Sequence, residues 1–361
     1  LLAYEVLTAF FLEATFLGVM LFGMDRVPGW VHVASTVIVA FGTTVSAFWI
    51  LALNSWMQTP TGQVFRDGQW IAAEWITVIF NPSFPYRLTH MLVASGLTAS
   101  FVVAGLSAWR LLKAPHDRGA MKTLRAGLLA AAVLTPVQVL VGDLHGLNTL
   151  EHQPQKIAAM EAIWHTERGA PLVLFAIPDE AKRRNDYAIS VPFGASIILT
   201  HDIQGEVKGL NEFGADRPPV APLFFGFRIM VGIGVLMLLV SWLGAWMTRR
   251  GRAPPPWLLW AFAGMTFSGW VATLAGWIVT EVGRQPWLVQ GLLRTRDAVG
   301  DIGGAQLGAS LTGYIFTYAA LFIAYMVVLT HLAGKGASVE TAPSSHEATV
   351  PVARGASPSP P

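Results

Sequence analysis

Apolar residues run almost unbroken through seven stretches of this 361-residue chain, near 2–24, 29–53, 87–112, 121–142, 221–247, 257–281 and 309–333. A helix needs about 20 apolar residues to cross a hydrocarbon layer of roughly 30 Å, so each stretch is predicted to span a membrane. The predicted fold class is an all-α polytopic membrane protein with about seven transmembrane helices. Polar positions divide the remainder. Residues 1–142 hold the first four spans, 143–220 an external loop, 221–333 the last three spans, and 334–361 a tail. From about 146 to 220 the loop carries ten acids against seven bases. A helical pattern at Gln155–His165 and a strand-like run at Tyr187–Leu199 predict a small folded cap, ended by Pro218 and Pro219. The tail is rich in Ser, Pro, Ala and Gly and is predicted to be disordered. The chain opens at Leu1 inside an apolar stretch, without the charged n-region or small-residue cleavage site of a signal peptide, and is expected to be N-terminally incomplete.

Composition strengthens the membrane assignment: 53% of residues are hydrophobic, 13% are charged, and mean hydropathy is +0.50. The absence of cysteine excludes disulfides, iron–sulfur clusters and thiolate ligation, leaving His, Met and carboxylates to hold any metal. A net charge of +2 is too weak to suggest a nucleic-acid partner. The bases mark topology instead. Arg110, Lys113, Arg118, Lys122 and Arg125 follow the third span, and Arg249, Arg250 and Arg252 follow the fifth. The positive-inside rule places both loops in the cytoplasm, with the 146–220 segment outside and the tail inside.

Charge inside a span costs at least ~2.5–3.5 kcal/mol and requires a partner or a task. Glu5 and Glu13 share the first span, about 12 Å apart along a helix axis and within about 80° in azimuth. They suit successive stations of a proton path; an interhelical hydrogen bond from a neutral carboxyl is the plainer alternative. Ser46, midway through the second span, is a weaker signal and taken by itself is more often a packing serine. Among nine histidines, only His90 is predicted to lie within a span away from the inner border. A lone histidine there is more often a satisfied core group than a ligand, and a helix methionine such as Met230 is usually packing. With Arg228 beside Met230, however, the three residues would suit low-spin haem ligation and propionate neutralisation. Trp277, Glu281 and Arg284 close the sixth span, as either an ion-paired helix stop or an anionic metal ligand with its partner. One mid-span histidine cannot supply two bis-histidine haems or a haem–copper cluster. It leaves room for one His/Met haem plus a carboxylate-bound metal. A haem-free proton-conducting subunit and a purely structural partner are the rival classes.

The motifs then converge. E-x-L-x-A-F-F-L-E-x-T-F-x-G-x-x-x-F-G-x-D from Glu5 to Asp25 and S-A-F-W-I-L-A-L-N-S-W-M-Q from Ser46 to Gln58 lead the series. His90 before A-S-G, G-D at Gly142, Q-x-Q-K-x-A-A-M-E from Gln153 to Glu161, F-R-I-M at Phe227, and A-G-W to G-R-Q-P-W from Ala275 to Trp287 follow in order. Over about 1–333 the chain resembles subunit I of the cytochrome bd-type quinol oxidases, with the short external quinol loop of their cyanide-insensitive branch. The resemblance implies a respiratory terminal oxidase of the bacterial cytoplasmic membrane that oxidises quinol outside and reduces dioxygen with cytoplasmic protons. It would generate a proton gradient without pumping. The implied ligands are His90 and Met230 for a low-spin haem b, with Arg228 beside them, and Glu281 for a high-spin haem, with Trp277 and Arg284 lining its site. The implied cofactors are low-spin haem b, high-spin haem b, and haem d or a third b-type haem. Glu5, Glu13 and Ser46 match the proton route; Asp143, Gln153, Lys156 and Glu161 match the quinol region. The implied partners are the second oxidase subunit, in some relatives a small single-span subunit, quinol, dioxygen and the bilayer. The family has about nine spans, and the histidine for its other high-spin haem is expected upstream of Leu1.

Overall fold

The computed structural model describes residues 1–334, so the tail expected from 335 onward lies outside the described residues. Among those residues, seven helices are long and apolar enough to cross a membrane: Leu2–Phe22, Gly29–Gln58, Phe84–Lys113, Arg118–His152, Val220–Thr248, Pro256–Val282 and a last helix beginning at Gly304. Their ends follow local chemistry. Pro28 and Pro219 sit at the N-caps of the second and fifth spans, and Pro85 occupies the first turn of the third. These positions suit proline because first-turn amides have no intrahelical acceptor. Asp117 caps the fourth span through the Ala120 amide at 2.9 Å.

Several elements differ from their sequence-based bounds. The first span contains a π-helical turn, Val6–Phe10, between its two glutamates. The sixth is interrupted at Met265–Phe267, dividing it into Pro256–Gly264 and Ser268–Val282. The fourth helix continues to His152, ten residues beyond the expected end at 142, so Asp143 and His145 are helical rather than in a loop. The apolar run expected as one strand over Tyr187–Leu199 is two elements: a strand, Arg184–Val191, and a helix, Gly194–Thr200. They part at Pro192–Phe193, where Phe193 has φ 62° and cannot continue either element.

The third, fourth, fifth and sixth spans share one core around Phe101, Leu124, Leu128, Met237, Leu258 and Phe262. The cap packs over one end of it. Its helix Pro154–Glu161 and the antiparallel hairpin Leu172–Asp179/Arg184–Val191 bury Ile157, Trp164 and Val173 with Leu223, Phe224 and Val279 from the spans. At the opposite end of the fourth helix, Arg125 reaches the Arg252 carbonyl at 3.5 Å, bringing the two basic loops to the same end.

Candidate functional site

Where the cap meets the bundle, charged side chains are buried together. Glu281 occupies the last turn of the sixth span, where the helix dipole disfavours an anion. Two donors offset this: Arg284 Nη2 at 2.6 Å from Oε2 and Asn54 Nδ2 at 2.6 Å from Oε1. Arg87, at 6% exposure, lies within electrostatic reach of Glu281 and Arg284. One turn further along the third span stands His90.

Lys156 extends this cluster from the cap side. Its ammonium donates to Gln58 Oε1 at 2.6 Å and Gln153 Oε1 at 2.7 Å. Gln58 in turn donates to the Thr280 carbonyl at 3.3 Å, and Gln153 to Gln290 Oε1 at 3.2 Å. The loop position of Lys156 does not make it solvated: it is 2% exposed. Burial drives its pKa well below the usual lysine value, helped by Arg87 and Arg284 and opposed by Glu281. Glu161 is also buried, and desolvation raises its carboxyl pKa despite an ion pair with Arg228 at 2.7 Å. Arg228 is committed to the cap: it also donates to the Met160 carbonyl at 2.7 Å and the Val173 carbonyl at 2.9 Å.

The remaining predicted residues occupy other surroundings. Ser46 donates to Glu5 Oε1 at 2.8 Å, joining the first two spans. Glu13 lies one turn along the second span from Ser46, against Gly42, with Oε1 buried and unpartnered among the described residues. The intervening π turn is wider than an α turn and reduces the azimuthal separation expected between the two acids. Trp277 is exposed on the sixth span, and Asp143 is exposed on the fourth. Met230 lies on the fifth span, where a Cβ built on Gly276 would approach its Sδ to 2.7 Å.

Buried polar atoms provide a test of whether haem suits these residues. His90 Nδ1, Arg87 Nε, and Arg284 Nε and Nη1 are buried without protein partners among the described residues. An imidazole nitrogen suits iron, and guanidinium donors suit the carboxylates of haem propionates. Gly142 faces His90, where an added Cβ would remain 3.5 Å from the ring, and Gly276 faces Met230. The donor set therefore fits haem. Three participants escaped sequence reasoning: Arg87, which shares a helix face with His90 at i, i+3; Asn54; and His145. The His145 ring centroid is 5.3 Å from that of His90. Its helical extension was hidden by the polar residues after Gly142.

The family model for cytochrome bd terminal oxidase subunit I matches residues 1–337. The chain is 32% identical over 340 residues to the cytochrome bd ubiquinol oxidase subunit 1 of Bacillus subtilis (strain 168), covering 91% of this chain and 71% of that protein. It is 30% identical over 408 residues to the cytochrome bd-II ubiquinol oxidase subunit 1 of Escherichia coli (strain K12), covering 93% and 79%. The solved structure of bd oxidase from Geobacillus thermodenitrificans matches with a TM-score of 0.81 and 32% identity, covering 91% of this chain and 76% of that one. The chain belongs to the cytochrome bd terminal oxidase subunit I family.

Proposed function

We propose that this member of the terminal-oxidase family is the haem-bearing subunit that oxidises quinol at its capped end and reduces dioxygen to water. The observation supporting this most directly is the set of buried, unpartnered nitrogens on Arg87 and Arg284, both within electrostatic reach of the Glu281 carboxylate, and on His90, one turn along the third span from Arg87. His90 and Met230 would hold low-spin haem b, and Glu281 a high-spin haem b; haem d or a third b-type haem completes the set. When bound, these groups supply electron transfer and oxygen reduction. Arg87 and Arg284 would engage propionates, with Trp277 beside the high-spin site. Arg228 acts through Glu161 and the cap rather than through its own free donors.

Two of the three Lys156 donors are used by Gln58 and Gln153, leaving one for a quinol oxygen. Glu161, with its raised pKa, would accept a quinol proton, while Gln153, bonded to Lys156, and the exposed Asp143 would belong to the same quinol region. Glu13, Ser46 and Glu5 would pass protons inward from the end bearing the basic loops, assigned to the cytoplasm by the positive-inside rule. Release and uptake on opposite sides of a bacterial cytoplasmic membrane would build a proton gradient without a pump. A second oxidase subunit would complete the enzyme, with a small single-span subunit as an additional partner.

Quinol-driven oxygen uptake by purified oxidase carrying this chain tests the reading. Lys156→Ala and Glu161→Ala should each reduce quinol turnover while leaving haem content near the parent level, Glu161→Ala by about 10²-fold or more, the range expected for losing an acid–base participant. Parent turnover in both variants would remove the quinol assignment. A haem-free purified complex would favour the proton-conducting alternative.

A further inference from the structure

We propose that Asn54 is a positioning residue for Glu281: its amide holds one carboxylate oxygen while Arg284 holds the other, fixing how the carboxylate meets a haem iron. This rests on Glu281 being a haem ligand. The amide orientation follows from its partner. Oε2 accepts from Arg284 Nη2 at 2.6 Å, and Oε1 accepts from the Asn54 NH2 group at 2.6 Å. The opposite atom, Oδ1, is then a buried acceptor without a partner among the described residues.

The second span is suited to this role because it meets the end of the sixth at successive turns. Asn54 binds Glu281, and Gln58, four residues later, binds the carbonyl of Thr280. The residue preceding the ligand and the ligand itself are thus tied to one helix face. Arg284 alone would not achieve this, because it belongs to the same chain segment as Glu281 and would move with it. Donation to Oε1 also withdraws electron density from the carboxylate, making it a weaker anionic donor to iron. Removing that donor should stabilise the oxidised iron and lower its reduction potential.

The decisive comparison uses purified full oxidase, second subunit included, carrying Asn54→Leu, Asn54→Asp or Glu281→Ala. Optical and electron paramagnetic resonance spectra and haem-resolved redox titration provide the readouts. Asn54→Leu should keep the low-spin signal, alter the high-spin signal and lower the potential of the Glu281-bound haem. Asn54→Asp preserves shape but replaces the donor with an acceptor facing a carboxylate; it should disturb the same signal at least as strongly, even if Asn54→Leu fails to assemble. Unchanged high-spin spectrum and potential in Asn54→Asp, with loss of a high-spin haem in Glu281→Ala, would overturn the role of Asn54 alone. Full retention of the high-spin haems in Glu281→Ala would overturn the ligand assignment and this inference with it.

Discussion

Gly276 and Gly142 leave different amounts of room beside the two proposed ligands of the low-spin iron. A Cβ at Gly276 falls 2.7 Å from Met230 Sδ, whereas one at Gly142 falls 3.5 Å from His90. A free methionine could yield cheaply, but one holding iron could not. Gly276→Ala should therefore weaken or broaden the low-spin spectrum at an overpacking cost of about 1–3 kcal/mol. Gly142→Ala should leave the spectrum intact. Equal spectra in both variants would show that Met230 can move freely. Lys156 offers a separate test through proton linkage. Its folded-state pKa is lowered, so the unfolded chain binds more protons between that value and about 10.5. Thermal stability should rise with pH through this window, and Lys156→Met should flatten the slope. An unchanged slope would mean that burial of Lys156 does not control it. The motif containing Lys156 was legible because its residues cluster in sequence. The Asn54–Glu281 contact was not, since it joins positions separated by 227 residues.

Helices extend beyond their apolar stretches where packing replaces hydropathy. The fourth span continues through Asp143, His145 and Glu151 because Asn148 and Thr149 are buried against its neighbours. Hydropathy therefore located the span but truncated it. The cap strand and helix merged in sequence because residues 187–199 carry no charge and place Ile189, Val191, Ile197 and Ile198 on both sides of the break; the left-handed Phe193 between them carries no clear residue signature. Arg228 fastens two other cap elements, the helix Pro154–Glu161 and the strand Leu172–Asp179, to the fifth span through Glu161 and the Met160 and Val173 carbonyls. Arg228→Leu would leave Glu161 buried without its cation, a loss of about 3–5 kcal/mol for breaking such a pair. Hydrogen exchange should accelerate over residues 154–191 in that variant. Glu161→Gln, which retains a hydrogen-bond acceptor, should have the smaller effect; parent protection in Arg228→Leu would assign the attachment to apolar packing alone.

Across the whole molecule, the proposed quinol region and the basic loops lie at opposite ends of the fourth helix, with Glu5 and Ser46 joined between the first two spans. If protons enter through these groups, Glu13→Gln should slow oxygen reduction even with electrons supplied in excess. An amide preserves shape but cannot relay a proton, and loss of such a participant is worth about 10²–10⁴-fold. Parent turnover would place the route elsewhere. The seven-span architecture was legible because membrane burial imposes long apolar helices, while the cluster of Arg87, Arg284 and Lys156 around Glu281 arose only when distant helix ends met. The central claim is that His90 and Met230 hold one haem and Glu281 another. Its most direct test is the reduced-minus-oxidised optical spectrum of the purified oxidase, compared with His90→Ala and Glu281→Ala. The parent should show low-spin b and high-spin signals, His90→Ala should lose the former, and Glu281→Ala should lose part of the latter; parent spectra in both variants would contradict the assignment.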